Sequence, residues 1–193
     1  MSIKDIPGLI QTAVADSIQV KQSFFDTHRT AVETCAGKMA DTLASGGKIL
    51  LFGNGGSAAD CQHIAAEFVN RFVIERPPLA AIALTCDTSI LTSIGNDYSF
   101  DDIFIKQLQA LGRPNDLAVA ISTSGNSPNV IRAAEEAKKT GLFLVGFSGV
   151  EGQLKELSDI PFCVNSPVTA RIQETHILLA HILCDLTERM LFA

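Results

Sequence analysis

Two stretches of the chain share an anion-binding chemistry. Gly53-Asn54-Gly55-Gly56-Ser57 follows the apolar run Lys48-Ile49-Leu50-Leu51-Phe52, and Ser122-Thr123-Ser124-Gly125-Asn126-Ser127 follows Leu117-Ala118-Val119-Ala120-Ile121. Glycine lets backbone N–H groups approach a ligand closely, and small hydroxyls add donors. A helix starting just afterwards presents unpaired N–H groups and the positive end of its dipole. A phosphate is the guest such loops fit. Neither loop carries the Gly-Lys-Ser/Thr ending of a P-loop or the G-x-G-x-x-G dinucleotide fingerprint, which counts against a nucleotide. For either loop alone, a strand–helix turn with Ser57 or Ser127 capping the helix explains the residues as well. The pair together favours a ligand.

Groups able to move protons lie nearby in the chain. On a helix after the first loop, His63 and Glu67 fall at i and i+4 and share one face, so an imidazole and a carboxylate point at a common ion or substrate. The alternative is a polar face with a local hydrogen bond. Ile64, Ala65, Ala66 and Phe68 around the pair imply a partly buried helix, where polar groups need partners. A second polar set, Gln173, His176 and His181, sits among Ile172, Ile177, Leu178, Leu179, Ile182 and Leu183. Gln173 and His181 share a broad face but stand roughly 12 Å apart along the axis. A composite site built from two subunits would let both reach one small ion.

These residues need a scaffold. Strand candidates recur at 48–52, 80–84, 117–121, 142–147 and 160–164, separated mostly by helical segments, and their purely apolar character suits parallel strands covered on both faces. The expectation is an α/β fold: a three-layer α/β/α sandwich with a five-stranded parallel sheet. In the order 2-1-3-4-5, the crevice opens between strands one and three, which carry the two loops. Two helices, up to about residue 27 and from about 28 to 45, precede the sheet, and a helix over about 170–192 closes the fold.

Composition bounds the function. The chain has 193 residues, 47% of them hydrophobic and 19% charged, which fits one globular domain. Its formal net charge of −6, with no Lys/Arg cluster, disfavours nucleic-acid binding. Cys35, Cys61, Cys86, Cys163 and Cys184 are an odd number of scattered thiols, which points to a reducing compartment. No apolar run approaches the roughly 20 residues of a membrane helix, and the start lacks a signal-peptide pattern, so a soluble cytoplasmic protein is expected.

Gly-Asn-Gly-Gly-Ser at 53–57, Ser-Thr-Ser-Gly-Asn-Ser at 122–127, Gly95-Asn96-Asp97 and Ala170-Arg171-Ile172-Gln173-Glu174 resemble the sugar isomerase (SIS) domain of the phosphoheptose isomerase group, over nearly the whole chain. The resemblance implies a single SIS domain over 1–193, with 1–46 a helical pair used in oligomerisation and 47–193 the sheet core and C-terminal helix. It implies conversion of sedoheptulose 7-phosphate to D-glycero-D-manno-heptose 7-phosphate for lipopolysaccharide, by a cytoplasmic homotetramer with sites at subunit interfaces. By the same resemblance, His63, Glu67, Gln173 and His181 match zinc positions, one Zn2+ per subunit, and Glu67 and His181 match the catalytic pair. Asn54, Gly55, Gly56, Ser57, Glu67, Arg71, Asn96, Asp97, Ser122, Thr123, Ser124, Ser127 and Gln173 correspond to substrate contacts. Some relatives have Asp where this chain has Ala170.

Ketose–aldose isomerisation moves a proton between C1 and C2 through an enediol, and one base and one acid suffice. Glu67 is assigned the carbon proton and His181 the oxygen protons, because an imidazole titrates near neutral pH. The rival reading is a non-catalytic SIS regulator that binds the replication initiator DnaA. It shares Ala170 to Glu174 and Glu75-Arg76-Pro77 but lacks the Glu67/His181 pair. A sugar-phosphate sensor is a third.

Overall fold

The computed structural model describes residues 5–193. Its elements are α1 (Ile6–Ala44), β1 (Ile49–Gly53), α2 (Gly56–Val69), β2 (Ala81–Ala83), α3 (Thr88–Asp97), α4 (Ile105–Leu111), β3 (Leu117–Ser122), α5 (Pro128–Lys139), β4 (Phe143–Gly149), α6 (Gln153–Leu157), β5 (Ile160–Val164) and α7 (Thr169–Phe192), with one 3-10 turn at Phe100–Asp102. The five strands are all parallel and lie in the order β2-β1-β3-β4-β5, the order in which the two loops share a crevice.

Alternation along the strands splits the interior in two. Ile49, Leu51, Leu117, Val119, Ile121, Val145 and Phe147 face a layer made by α1, α2 and α7, where Phe24, Cys35, Met39, Cys61, Ile64, Leu179 and Leu183 cover them. Leu50, Phe52, Ala118, Ala120 and Leu144 face the opposite layer, with Ile94, Phe104, Leu108, Val130, Ala134 and Leu154. Successive side chains of a strand point to opposite faces, so continuous apolar runs such as Ile49–Phe52 fill both cores.

The expected pair of N-terminal helices is a single helix of 39 residues, roughly 58 Å long at 1.5 Å per residue. The polar run around residues 26–30 breaks the apolar spacing without breaking the backbone. Thr27 donates its hydroxyl to the Phe24 carbonyl (3.0 Å), Thr34 donates to the Thr30 carbonyl (2.9 Å), and the His28 ring stacks on Phe24 at 4.3 Å. Asp5 caps the start by accepting from the Gly8 amide, and Gly46 takes φ +82° just past the end.

A second set of bonds ties α1 to the start of α7. Ser17 donates to Glu174 at 2.6 Å, Arg171 pairs with Glu174 at 2.7 Å, and Arg171 also donates to the Ala13 carbonyl. Among the thiols, Cys35, Cys61 and Cys184 are buried, and burial pushes Cys35 and Cys184 up to about 12; Cys86 is exposed and Cys163 partly so. No helix of the described residues is long and apolar enough to cross a membrane.

Candidate active site

Both glycine/serine loops lie at the carboxyl ends of adjacent strands. β1 and β3 pair in register, Gly53 opposite Ile121, so the loops that leave them flank one crevice. α2 begins at Gly56 with Gly55 before it at φ +55°, and no side chain caps it; α5 begins at Pro128 and is likewise uncapped by Ser127. Ala58 and Val130 already donate to carbonyls of the preceding turn and Pro128 has no N–H, so among the described residues the helix-start amides left for a ligand are those of Gly56, Ser57 and Asn129. Ser127 turns instead toward Ser122, with the hydroxyls 3.0 Å apart, and Ser124 lies 3.4 Å from Ser122. Three hydroxyls thus converge where α5 begins.

The second loop is held from behind. Gly125 has φ +67°, and a Cβ there would lie 2.4 Å from the Glu151 carbonyl oxygen. Asn126 accepts from the Gln153 amide (3.0 Å) and donates to the Ser124 carbonyl (3.2 Å). Across the crevice, Asn54 and Asn129 exchange two amide hydrogen bonds, of 2.8 and 3.0 Å. Asn129 is almost fully buried and joins the two loops, a role the sequence reading missed; its position in the first turn of α5, after Ser127-Pro128, was the available signal. Ser57 is buried, with its Cβ 3.0 Å from where a side chain on Gly53 would begin, so its side chain packs the turn.

α2 and α7 lie side by side and run in the same direction. Gln173 packs against Gly56 so closely that a Cβ there would lie 2.5 Å from its amide nitrogen, and about two turns further on His63 meets His181. The imidazole Nε2 atoms are 2.9 Å apart, and a Glu67 oxygen lies 3.6 Å from that of His63. The proton-moving residues of the two distant segments are therefore adjacent. Gln173 belongs to the glycine end of the groove in this chain, not to the histidine contact.

Phe72 lies over the other side of His181, ring centroids 5.5 Å apart. Desolvation, and then the neighbouring His63, lower the His181 pKa below the ordinary imidazole value, while Glu67 opposes them. His181 is accordingly held neutral at physiological pH, able to accept a proton. Asp60, one turn back on α2, is pushed up by burial against a smaller opposing effect of His63.

His176, also on α7, is separate from this contact. It is almost fully buried, its Nε2 lies 3.2 Å from the Ser148 carbonyl, its Nδ1 has no partner among the described residues, and burial lowers it to about 4. It anchors α7 to the end of β4. Arg71 is exposed, 3.3 Å from Glu75. Asn96 and Asp97 are exposed at the end of α3 and bonded to each other at 2.8 Å; no hydrogen bond among the described residues joins them to the loops.

The donor set His63 Nε2, His181 Nε2 and Glu67 carboxylate is chemically that of a zinc site. Among the described residues no group of three or more His, Cys, Asp and Glu is gathered as a ready-made cage. What fits a metal is the facing of two imidazole nitrogens with a carboxylate beside them. Their separations, 2.9 and 3.6 Å, bracket the ligand–ligand spacing of roughly 3.3 Å that tetrahedral zinc with 2.0–2.1 Å bonds demands.

Comparison with known proteins agrees with this architecture. The model of the SIS domain matches residues 14–149. A phosphoheptose isomerase of Nitratidesulfovibrio vulgaris is 55% identical over 185 residues, covering 95% of this chain and 88% of the relative; one of Thermodesulfovibrio yellowstonii is 51% identical over 97% and 94%. The solved phosphoheptose isomerase of Francisella tularensis superposes with a TM-score of 0.91 at 38% identity over 98% of this chain and all of that one. That of Neisseria gonorrhoeae gives 0.87 at 44% identity, over 93% of this chain and 98% of that one. With loops, helices and histidine pair so arranged, the chain belongs to the phosphoheptose isomerase family of SIS-domain proteins.

Proposed function

We infer that this protein is a phosphoheptose isomerase that interconverts sedoheptulose 7-phosphate and D-glycero-D-manno-heptose 7-phosphate. The observation that carries the reading is the convergence of Glu67, His63 and His181 beside a groove whose other end is a phosphate-type cradle. Relatives named phosphoheptose isomerase at 51–55% identity support it. The regulator and sensor readings of the same fold gain nothing from them, and Glu67 and His181 are both present and adjacent.

Ser122, Thr123, Ser124, Ser127 and the Asn129 amide at the start of α5 hold the phosphate. Asn54, Gly55 and Gly56 at the start of α2, with Gln173 against them, orient the sugar, and Arg71, Asn96 and Asp97 complete the contacts. Glu67 takes the proton from the carbon beside the carbonyl and returns it to the neighbouring carbon. The neutral His181 exchanges the proton between the two oxygens of the enediol. His63, Glu67 and His181 would hold one zinc ion per subunit, which supplies polarisation of the substrate oxygens when bound, and Gln173, two turns away against Gly56, stays with the sugar.

The protein acts as a cytoplasmic homotetramer in heptose supply for lipopolysaccharide, with sites completed between subunits. An observation supporting assembly is the exposed apolar stripe of Leu9, Ile10, Val14 and Ile18 on α1, each more than half exposed. Purified protein incubated with sedoheptulose 7-phosphate should form the aldose, and a chelator should slow it. An inactive, metal-replete protein would refute the reading. Elemental analysis tests the zinc stoichiometry directly.

A further inference from the structure

Residues 70–80, between α2 and β2, form a strap without regular structure that crosses the end of α7. Irregular backbone must find other partners for its N–H and C=O groups. Here two side chains supply them. Glu188 accepts from the backbone amides of Phe72 (2.7 Å), Val73 (2.9 Å) and Ile74 (2.9 Å) and from Arg76 Nε (3.0 Å). Arg76 donates onward to the carbonyls of Phe68 (2.7 Å), Glu67 (2.9 Å), Pro77 (3.1 Å) and Asn70 (3.3 Å). Both side chains are 1% exposed.

We propose that Arg76 and Glu188 are positioning residues for the acid–base pair, a buried staple that fixes the end of α2 against α7 and thereby sets where Glu67 stands relative to His181. Three connections carry this. Arg76 holds the backbone carbonyl of Glu67 itself, in the last turn of α2, whose terminal carbonyls no further helical amide satisfies. Glu188 stands seven residues after His181 on α7, two turns along the same face, so one rigid element carries both. And Glu188 grips the amide of Phe72, whose ring lies against His181.

The staple also fixes the segment immediately after Arg71, and so aims that side chain. A buried ion pair gains little net stability over apolar residues of like volume, whereas its geometry is directional. That makes placement, more than stability, the property it confers. This inference rests on the isomerase reading of the site.

The test compares the wild-type protein with E188Q and R76K, and with D116N as a control. Asp116, 3% exposed, makes an ion pair at 2.5 Å with Lys48, 22% exposed, just ahead of β1 and β3, and neither residue bonds to the staple or to Glu67, Phe72 or His181. Each protein is assayed at a temperature well below its own melting point, with kcat and KM for sedoheptulose 7-phosphate read separately, and amide exchange is followed at residues 67–74. Expected are a tenfold or larger fall in kcat for E188Q, a smaller one for R76K, KM within about threefold of wild type, and faster exchange in the strap and last turn of α2. D116N should lose melting temperature without losing kcat. If E188Q does not fold, R76K, which keeps the charge with fewer donors, decides alone. Wild-type kcat in the folded staple variants, or an equal kcat loss in D116N, overturns the positioning role. A wild-type protein that is itself inactive instead overturns the isomerase reading, and with it any catalytic purpose for the staple.

Discussion

Replacing His176 with Gln should flatten the acid limb of the protein's stability profile. The imidazole is 1% exposed, and burial lowers it from 6.5 to about 4, against a smaller opposing effect of the Ser148 carbonyl. Its folded pKa is depressed, so on acidification the unfolded chain binds a proton that the native state refuses. The stabilisation is whole above pH 6.5 and drains away between 6.5 and about 4. At 1.36 kcal/mol per unit, the full window amounts to roughly 3 kcal/mol, and the part between pH 6.5 and 5 to about 2 kcal/mol.

Gln keeps a donor for the Ser148 carbonyl and does not titrate. Urea unfolding of both proteins at a series of pH values isolates the histidine, because shared carboxylates, Glu188 among them, cancel in the difference. With a urea slope of about 2 kcal/mol per M, the wild-type midpoint should fall by about 1 M more than that of H176Q between pH 6.5 and 5. Parallel profiles from two folded proteins would refute the claim that a neutral, buried His176 anchors α7.

Glu67→Gln and His181→Gln should each lower kcat by about 10²–10⁴ while leaving the circular dichroism melt close to wild type, since each removes a proton carrier and keeps the volume; turnover within a factor of a few of wild type would acquit that residue. Asn129→Leu cuts both amide bonds to Asn54 and strands a part-buried amide, so a stability loss of about 1–3 kcal/mol and a raised KM with smaller change in kcat are expected from denaturation and steady-state rates. Val14→Glu with Ile18→Glu places carboxylates on the exposed stripe of α1, and sedimentation velocity should report a smaller species than wild type. An unchanged sedimentation coefficient there would remove α1 from the assembly interface.

The sheet was legible because its strands are short apolar runs, and two of them ending in the same unusual chemistry favoured their adjacency at a crevice. The boundary at residues 27–28 was misjudged for a local reason. Thr27, His28 and Thr34 look like punctuation in a one-dimensional pattern, yet each turns its polar atoms onto carbonyls of its own helix. His63 and Glu67 were legible from i,i+4 spacing taken together with the loop before them and the apolar residues around them. That His181 meets them depends on α2 and α7 running parallel, a relation between segments 118 residues apart that no local spacing records. The same holds for Asn54 with Asn129 and for Arg76 with Glu188. Their types signal a need for partners, and only the fold supplies them.

The uneven shielding of the thiols has a practical consequence. Cys35, Cys61 and Cys184 are buried and poor thiolate formers, whereas Cys86 lies exposed just ahead of the helix bearing Asn96 and Asp97. A maleimide dye or spin label added at neutral pH will modify Cys86 first, without any engineering of the natural sequence. The molecule thus comes with a reporter attachment point at the flank of its own crevice, from which ligand-induced movement of that flank is readable in solution.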